Sequence, residues 1–136
     1  MGDWVLLSVL ALLCWGLYGF FPKVAVGYIA PRSVLLFQSL GTLTIGVISL
    51  ISLGFRPQLH WKRTSFAILS GLAGAVGGLF YLLAVQRGRL STTSALTALY
   101  PALTIVLAAT VLREPITLRQ AAGMALAVVA VMLLSA

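Results

Sequence analysis

Apolar and polar residues in this chain fall into long blocks, with neither strand-like alternation nor short elements. From Trp4 to Phe21 there is no charged residue, and the apolar character continues past Pro22 and Lys23 to about Ile29. Further runs cover Ser33 to Phe55, Ser65 to Gln86 after the polar break "RPQLHWKRT", roughly Ser91 to Leu112 after "RGR", and Leu118 to Ala136. A membrane span needs about 20 apolar residues to cross about 30 Å of hydrocarbon. Four runs meet that requirement and the fifth just does. In lipid every backbone polar group must be satisfied within helices or a closed barrel, and runs this long and unalternating are helices. The pattern predicts an all-α integral membrane protein of one domain, 1–136, with five transmembrane helices at about 4–29, 33–55, 65–86, 91–112 and 118–136.

Composition agrees. Of 136 residues, 61% are hydrophobic and 8% charged, more apolar surface than a soluble domain of this length can bury. The net charge of +7 does not indicate a nucleic-acid partner, because the basic residues sit in short gaps between apolar runs and form no stripe with interleaved aromatics. Cys14 is the single cysteine and His60 the single histidine, so neither a disulfide framework nor a metal site is expected, and no cofactor is implied. The first run lacks a basic n-region, so it is expected to remain as a span and not to be cleaved as a signal peptide.

Five crossings put the termini on opposite sides of the membrane, and the Lys/Arg bias of the loops sets the orientation. The N-terminal side collects Arg56, Lys62, Arg63, Arg113 and Arg119; the other side collects Lys23, Arg32, Arg87 and Arg89. Five against four is hardly a bias. One reading is a slightly N-in protein; the other is a chain that inserts both ways and pairs with its inverted self.

The polar residues inside the spans are few and placed in register. Thr93, Thr97, Tyr100 and Thr104 share one face of the fourth helix, and Pro101 removes the donor that the Thr97 carbonyl would otherwise use. That face either lines a wet or packed interior, or belongs to a kinked packing helix whose threonines bond back to their own carbonyls. In the third helix Gly71, Gly74, Gly78 and Tyr81 lie along one face. The spacing of Gly74 and Gly78 suits close helix packing, with Tyr81 a candidate for facing a solute. The first helix offers Ser8, Trp15 and Tyr18, then Pro22 and Lys23. Lys23 either snorkels to the interface or points inward as a cation for an anionic ligand group. Gln38, Thr42, Ser49 and Ser52 in the second helix fit interhelical hydrogen bonding. Gly123, Ala127 and Ala130 make a small-residue ridge for packing on the fifth. Glu114 and Pro115 suit the start of that helix.

No Asp, Glu or His lies inside an apolar run, so no carboxylate stands at membrane depth as a proton relay. Paired carboxylates, a Ser-His-Asp set, a G-x-S-x-G elbow and a G-x-x-x-x-G-K-[ST] loop are all missing from the sequence, and no enzymatic activity is expected.

The stretch "ALTALYPALTIVLAATVLREPITLRQAAGMALAVVAVMLL" resembles the EamA-type repeat of the drug/metabolite transporter superfamily. The matching positions are the fourth-helix proline, Pro101; Leu112 and Glu114 at that helix's end; and Gln120 before Gly123 in the fifth. "WGLYGFFPK", Trp15 to Lys23, is similar to the start of the repeat. The resemblance implies one half of an inverted-repeat transporter: most such proteins carry two repeats in ten helices, and an odd-numbered repeat joined to itself comes out inverted around a midplane site. A single repeat then needs a second copy, most simply an antiparallel homodimer. The small multidrug resistance transporters are more distantly similar; they depend on a first-helix glutamate, where this chain has Trp15 or its neighbours.

The expected function is transport of a small metabolite or drug-like solute by alternating access, in a prokaryotic cytoplasmic (inner) membrane. Trp15, Tyr18, Lys23, Tyr81, Thr97 and Tyr100 are the expected solute-contacting residues. Pro22 and Pro101 are the expected hinges, and Gly74, Gly78, Gly123 and Ala127 the expected packing positions. Aromatic and hydroxyl lining suits a neutral, zwitterionic or aromatic solute. Two alternatives stand beside it: a flippase for a lipid-linked headgroup, in which Lys23 would matter, and a non-transporting subunit of a larger membrane complex.

Overall fold

The computed structural model describes residues 3–135, so the expected end of the fifth helix at Ala136 and the first two positions of the domain lie outside the described residues. Helices dominate: α1 Asp3–Ala25, α2 Pro31–Ser52, α3 Trp61–Arg87, α4 Leu90–Thr97, α5 Tyr100–Val111 and α6 Leu118–Ser135. At about 1.5 Å per residue, α1, α2 and α3 each exceed the roughly 30 Å of a bilayer core, with 23, 22 and 27 residues. Leu90–Val111 is a fourth candidate span, and Leu118–Leu134 is a shorter apolar helix. The 18 residues of α6 reach about 27 Å, a mismatch that a bilayer absorbs by local thinning.

Local chemistry sets the ends. α1 stops at Ala25, before the expected Ile29, because Val26, Gly27 and Tyr28 turn, with the N–H groups of Gly27 and Tyr28 donating to the carbonyls of Val24 and Ala25. Pro31 then forces Ala30 into an extended conformation, φ −61° and ψ 145°, and itself occupies the first helical position, where its missing N–H costs nothing. α2 therefore begins ahead of Ser33. It closes in a Schellman motif: the N–H of Gly54, at φ 59°, donates to Ile51 O, and the N–H of Phe55 donates to Leu50 O. α3 begins at Trp61, before the apolar run at Ser65, because a helix can extend beyond the hydrocarbon; the His60 N–H donates to Thr64 Oγ1 at 3.3 Å.

The fourth span is not one helix. α4 ends at Thr97, Ala98 and Leu99 form a turn, and α5 starts at Tyr100. Leu99 N–H bonds Leu96 O and Ala102 N–H bonds Leu99 O, both three residues back. This tightening sits where Pro101 has removed the regular donor.

α6 opens on a reciprocal cap. Thr117 N–H donates to Gln120 Oε1 at 2.8 Å, and Gln120 N–H donates to Thr117 Oγ1 at 3.3 Å. This is a capping box, satisfying two otherwise orphaned donors.

The chain divides after Arg87 into two compact units. In the first, α3 packs on both α1 and α2; Val34, Leu82 and Val85 are buried. In the second, α4 packs on α6, with Val131 and Thr93 buried. Side chains such as Leu6, Phe37, Ile68 and Leu133 are exposed, as suits a surface whose solvent is lipid.

Replacing Gln120 with Ala removes one arm of the α6 cap and is expected to cost about 0.5–2 kcal/mol. Chemical unfolding in detergent measures it. An unchanged midpoint for both Gln120→Ala and Thr117→Ala would show that the box does not hold the helix start.

Candidate functional site

Within the first unit, hydrogen bonds from Tyr81 and Lys23 tie α1 to α3. Tyr81 Oη donates to Gly19 O at 2.9 Å, and Lys23 Nζ donates to Val85 O at 2.6 Å. Both join residues 62 apart in sequence, and the donors and acceptors are one helical turn apart on each helix. A constant offset means that α1 and α3 run parallel here. Glycine permits the approach from each side. A Cβ built at Gly19 would lie 3.3 Å from Tyr81 Oη, and one at Gly78 would lie 3.4 Å from Tyr18 Oη. Each helix thus lays a tyrosine on a glycine of the other.

The carbonyls are informative. Val85 is in the last turn of α3, where carbonyls have no intrahelical partner, and its residue is fully buried at 0% exposure. The Lys23 ammonium supplies a donor from another helix and a positive charge at the negative end of the α3 dipole. Lys23 thus does structural work at this position. Gly19 O lies next to the stretch of α1 disturbed by Pro22, which is buried while the helix continues to Ala25.

Beside this seam, Tyr18, Leu35, Gln38, Ser39, Thr42, Leu43, Gly71, Gly74 and Ala75 line a groove of about 500 Å³, within the size range of small-molecule sites. Two of its hydroxyl hydrogens are spent: Ser39 Oγ donates to Leu35 O at 2.9 Å, and Thr42 Oγ1 to Gln38 O at 3.1 Å. The side-chain oxygen of Gln38 is buried and has no hydrogen-bond partner.

The structure therefore brings Tyr18 and Gly78 together at one seam, where Tyr81 and Lys23 tie α3 to α1, and sets Gly74 in the groove beside it. Trp15 is 63% exposed and is not among the groove-lining residues. Gly74 opens onto the groove with no atom within 4 Å of a built Cβ, and Gly123 likewise meets open space. In the second unit Thr97 Oγ1 donates back to the carbonyls of Thr93 and Ser94 at 3.0 and 3.1 Å, and Thr104 Oγ1 to Tyr100 O at 3.2 Å. A second, smaller pocket of about 90 Å³ adjoins Ile105, Ala108, Glu114, Pro115 and Gln120.

The sequence profile of the EamA-like transporter family matches residues 3–136. The chain belongs to that family. It is accordingly an integral membrane protein of a family of transporters, not of enzymes, and this membership points to movement of metabolites or drugs across a membrane. An uncharacterized protein of Methanocaldococcus jannaschii is 27% identical over 135 residues, covering 96% of this chain and 95% of that protein. No solved structure matches. Among positions shared with the EamA-type repeat, Gln120 is explained by the α6 cap and Pro101 by the break between α4 and α5.

Residues that sequence reasoning left in a packing role, Gln38 and Thr42, lie in the groove, and Ser39, Leu35 and Gly19 join them there or at the seam. The available signal was the i, i+4 pair Gln38–Thr42 on α2, but only the fold sets it opposite Gly71 and Gly74.

Replacing Lys23 with Met leaves Val85 O buried without a donor, an expected loss of about 1–3 kcal/mol, and Tyr81→Phe an expected loss of about 1 kcal/mol. Unfolding midpoints of purified protein in detergent measure both. A Lys23→Met variant as stable as the parent but devoid of solute flux would place Lys23 on the ligand path, not in the seam.

Proposed function

We propose that the chain transports a small metabolite or drug-like solute by alternating access, as an antiparallel dual-topology homodimer in a prokaryotic cytoplasmic membrane. The observation that carries this reading is the family match over residues 3–136. Two copies related by inversion supply the two halves that rock about a shared midplane site. The Lys/Arg balance of five against four supports insertion in both orientations.

In this mechanism the first unit supplies the binding groove and the break at Ala98–Leu99 supplies flexure. A helix interrupted at membrane depth can change its angle at the cost of few hydrogen bonds, since Pro101 has already removed one. The α1–α3 seam moves as a body, because its two ties join side chains to backbone of parallel helices.

Two measurements test the reading. With Cys14 replaced by Ser, a cysteine added at either terminus is expected to react with an impermeant thiol reagent from both faces of the membrane. Strictly one-sided labelling eliminates dual topology. Purified protein alone in vesicles is expected to carry at least one solute from a radiolabelled panel of aromatic, amide-bearing and zwitterionic metabolites. Absence of flux across the panel favours the non-transporting subunit.

A further inference from the structure

The groove between α1, α2 and α3 is unevenly equipped for hydrogen bonding. Its two aliphatic hydroxyls have committed their hydrogens, the Tyr18 hydroxyl and the Gln38 amide nitrogen keep theirs, and the buried atom left unmatched is an acceptor. Ser39 Oγ and Thr42 Oγ1 donate to backbone carbonyls of their own helix, leaving only lone pairs for a neighbour. Gln38 Oε1 is buried with no partner at all. Burying an acceptor without a donor costs more than a made hydrogen bond contributes, and in a membrane, water is not at hand to repair it. The rest of the wall is apolar or aromatic: Leu35, Leu43, Ala75 and the Tyr18 ring. The residues lining the groove include no charged side chain.

We propose that this groove recognises a solute carrying an N–H or O–H donor group on an apolar or aromatic body, and that Gln38 is the residue that selects for the donor. This rests on the transport reading and gives its substrate a chemical class. The terminal amide of glutamine rotates about a broad, nearly two-fold torsion, so Oε1 can turn from its buried position to meet a donor in the groove. The ligand then makes a bond where the unliganded protein has an unsatisfied acceptor, which is the situation in which an absent donor is rejected most strongly. Ser39 and Thr42 lone pairs accept from a second hydrogen of the same group. Gly71 and Gly74 leave the opposite wall without side chains, making room for the ligand's body; a Cβ built at either meets no atom within 4 Å.

A matched pair of probes tests this: naphthaleneacetamide, whose amide bears two N–H donors, and its N,N-dimethyl amide, which bears none. Binding to the full chain in nanodiscs is read by probe fluorescence and corrected against empty nanodiscs. The parent protein is expected to prefer the primary amide by about tenfold. Gln38→Met is expected to remove that preference while changing affinity for the dimethyl amide by no more than about twofold. The comparison on the parent protein stands even if the variant folds poorly. Equal affinity for both probes, no binding of either, or a preference that survives Gln38→Met each overturns the proposal. Vesicle flux in the same preparations separates the two levels: flux without donor discrimination sinks the role of Gln38 and leaves transport standing, whereas a parent protein with no flux sinks the transport reading.

Discussion

A peptide carbonyl in hydrocarbon must be given a donor, and this constraint organises the first unit of the protein. A helix interior satisfies its own carbonyls; a helix end and a proline do not. Val85 lies in the last turn of α3, where carbonyls run out of intrahelical donors, and the residue is fully buried. The donor comes from α1, as the ammonium of Lys23. One turn earlier the hydroxyl of Tyr81 reaches the Gly19 carbonyl in the other direction. A hydrogen bond between helices in a membrane contributes roughly 1–2 kcal/mol in model systems, less than apolar burial in a soluble core of similar size. Its direction is what matters here: the two ties fix the relative height and rotation of two parallel helices. With α1 and α3 so fixed, α2 packs on α3 and the groove acquires its shape.

The same constraint acts in the second unit with a different outcome. Pro101 withdraws a donor in mid-span. The chain shortens its hydrogen bonds to three-residue steps at Leu99 and Ala102, and the fourth span becomes α4 and α5. One proline is absorbed by a helix that continues, Pro22 in α1, while the other divides its span. The surroundings differ: Pro22 is buried close to the helix end, whereas Pro101 has a long apolar stretch on its C-terminal side.

Much of this is legible from residue order alone. The spans follow from block length, the break from Pro101, and the neighbourhood of the α6 start from Glu114 and Pro115, since helix-start signals and prolines act over three or four residues. The helix ends at Ala25 and Trp61 were less legible, because a helix stops for local hydrogen-bonding reasons and apolar character stops for reasons of depth. Lys23 and Tyr81 were beyond reach. Their partners lie 62 residues away, and a lysine near a helix end reads the same in sequence whether it snorkels, binds a ligand or caps another helix. Gln38 has the same ambiguity: interhelical glue and ligand contact use the same amide, and only the unmatched oxygen beside an open groove separates them.

A chain with no carboxylate inside its apolar runs has no negative charge at depth with which to select cations. Coulomb attraction is strong and long-ranged in a low dielectric but tells one cation poorly from another, and it carries a large desolvation cost when the site is empty. An uncharged acceptor without a donor is weaker and acts only at contact, so its selectivity depends on geometry: a donor must arrive at the right height and angle. That puts the requirement for precision on the walls of the groove. The α1–α3 seam meets it by fixing Tyr18 and Gly78 against each other. Specificity built this way needs a rigid wall and a sparse one, which is the form that glycines facing tyrosines give to this part of the fold.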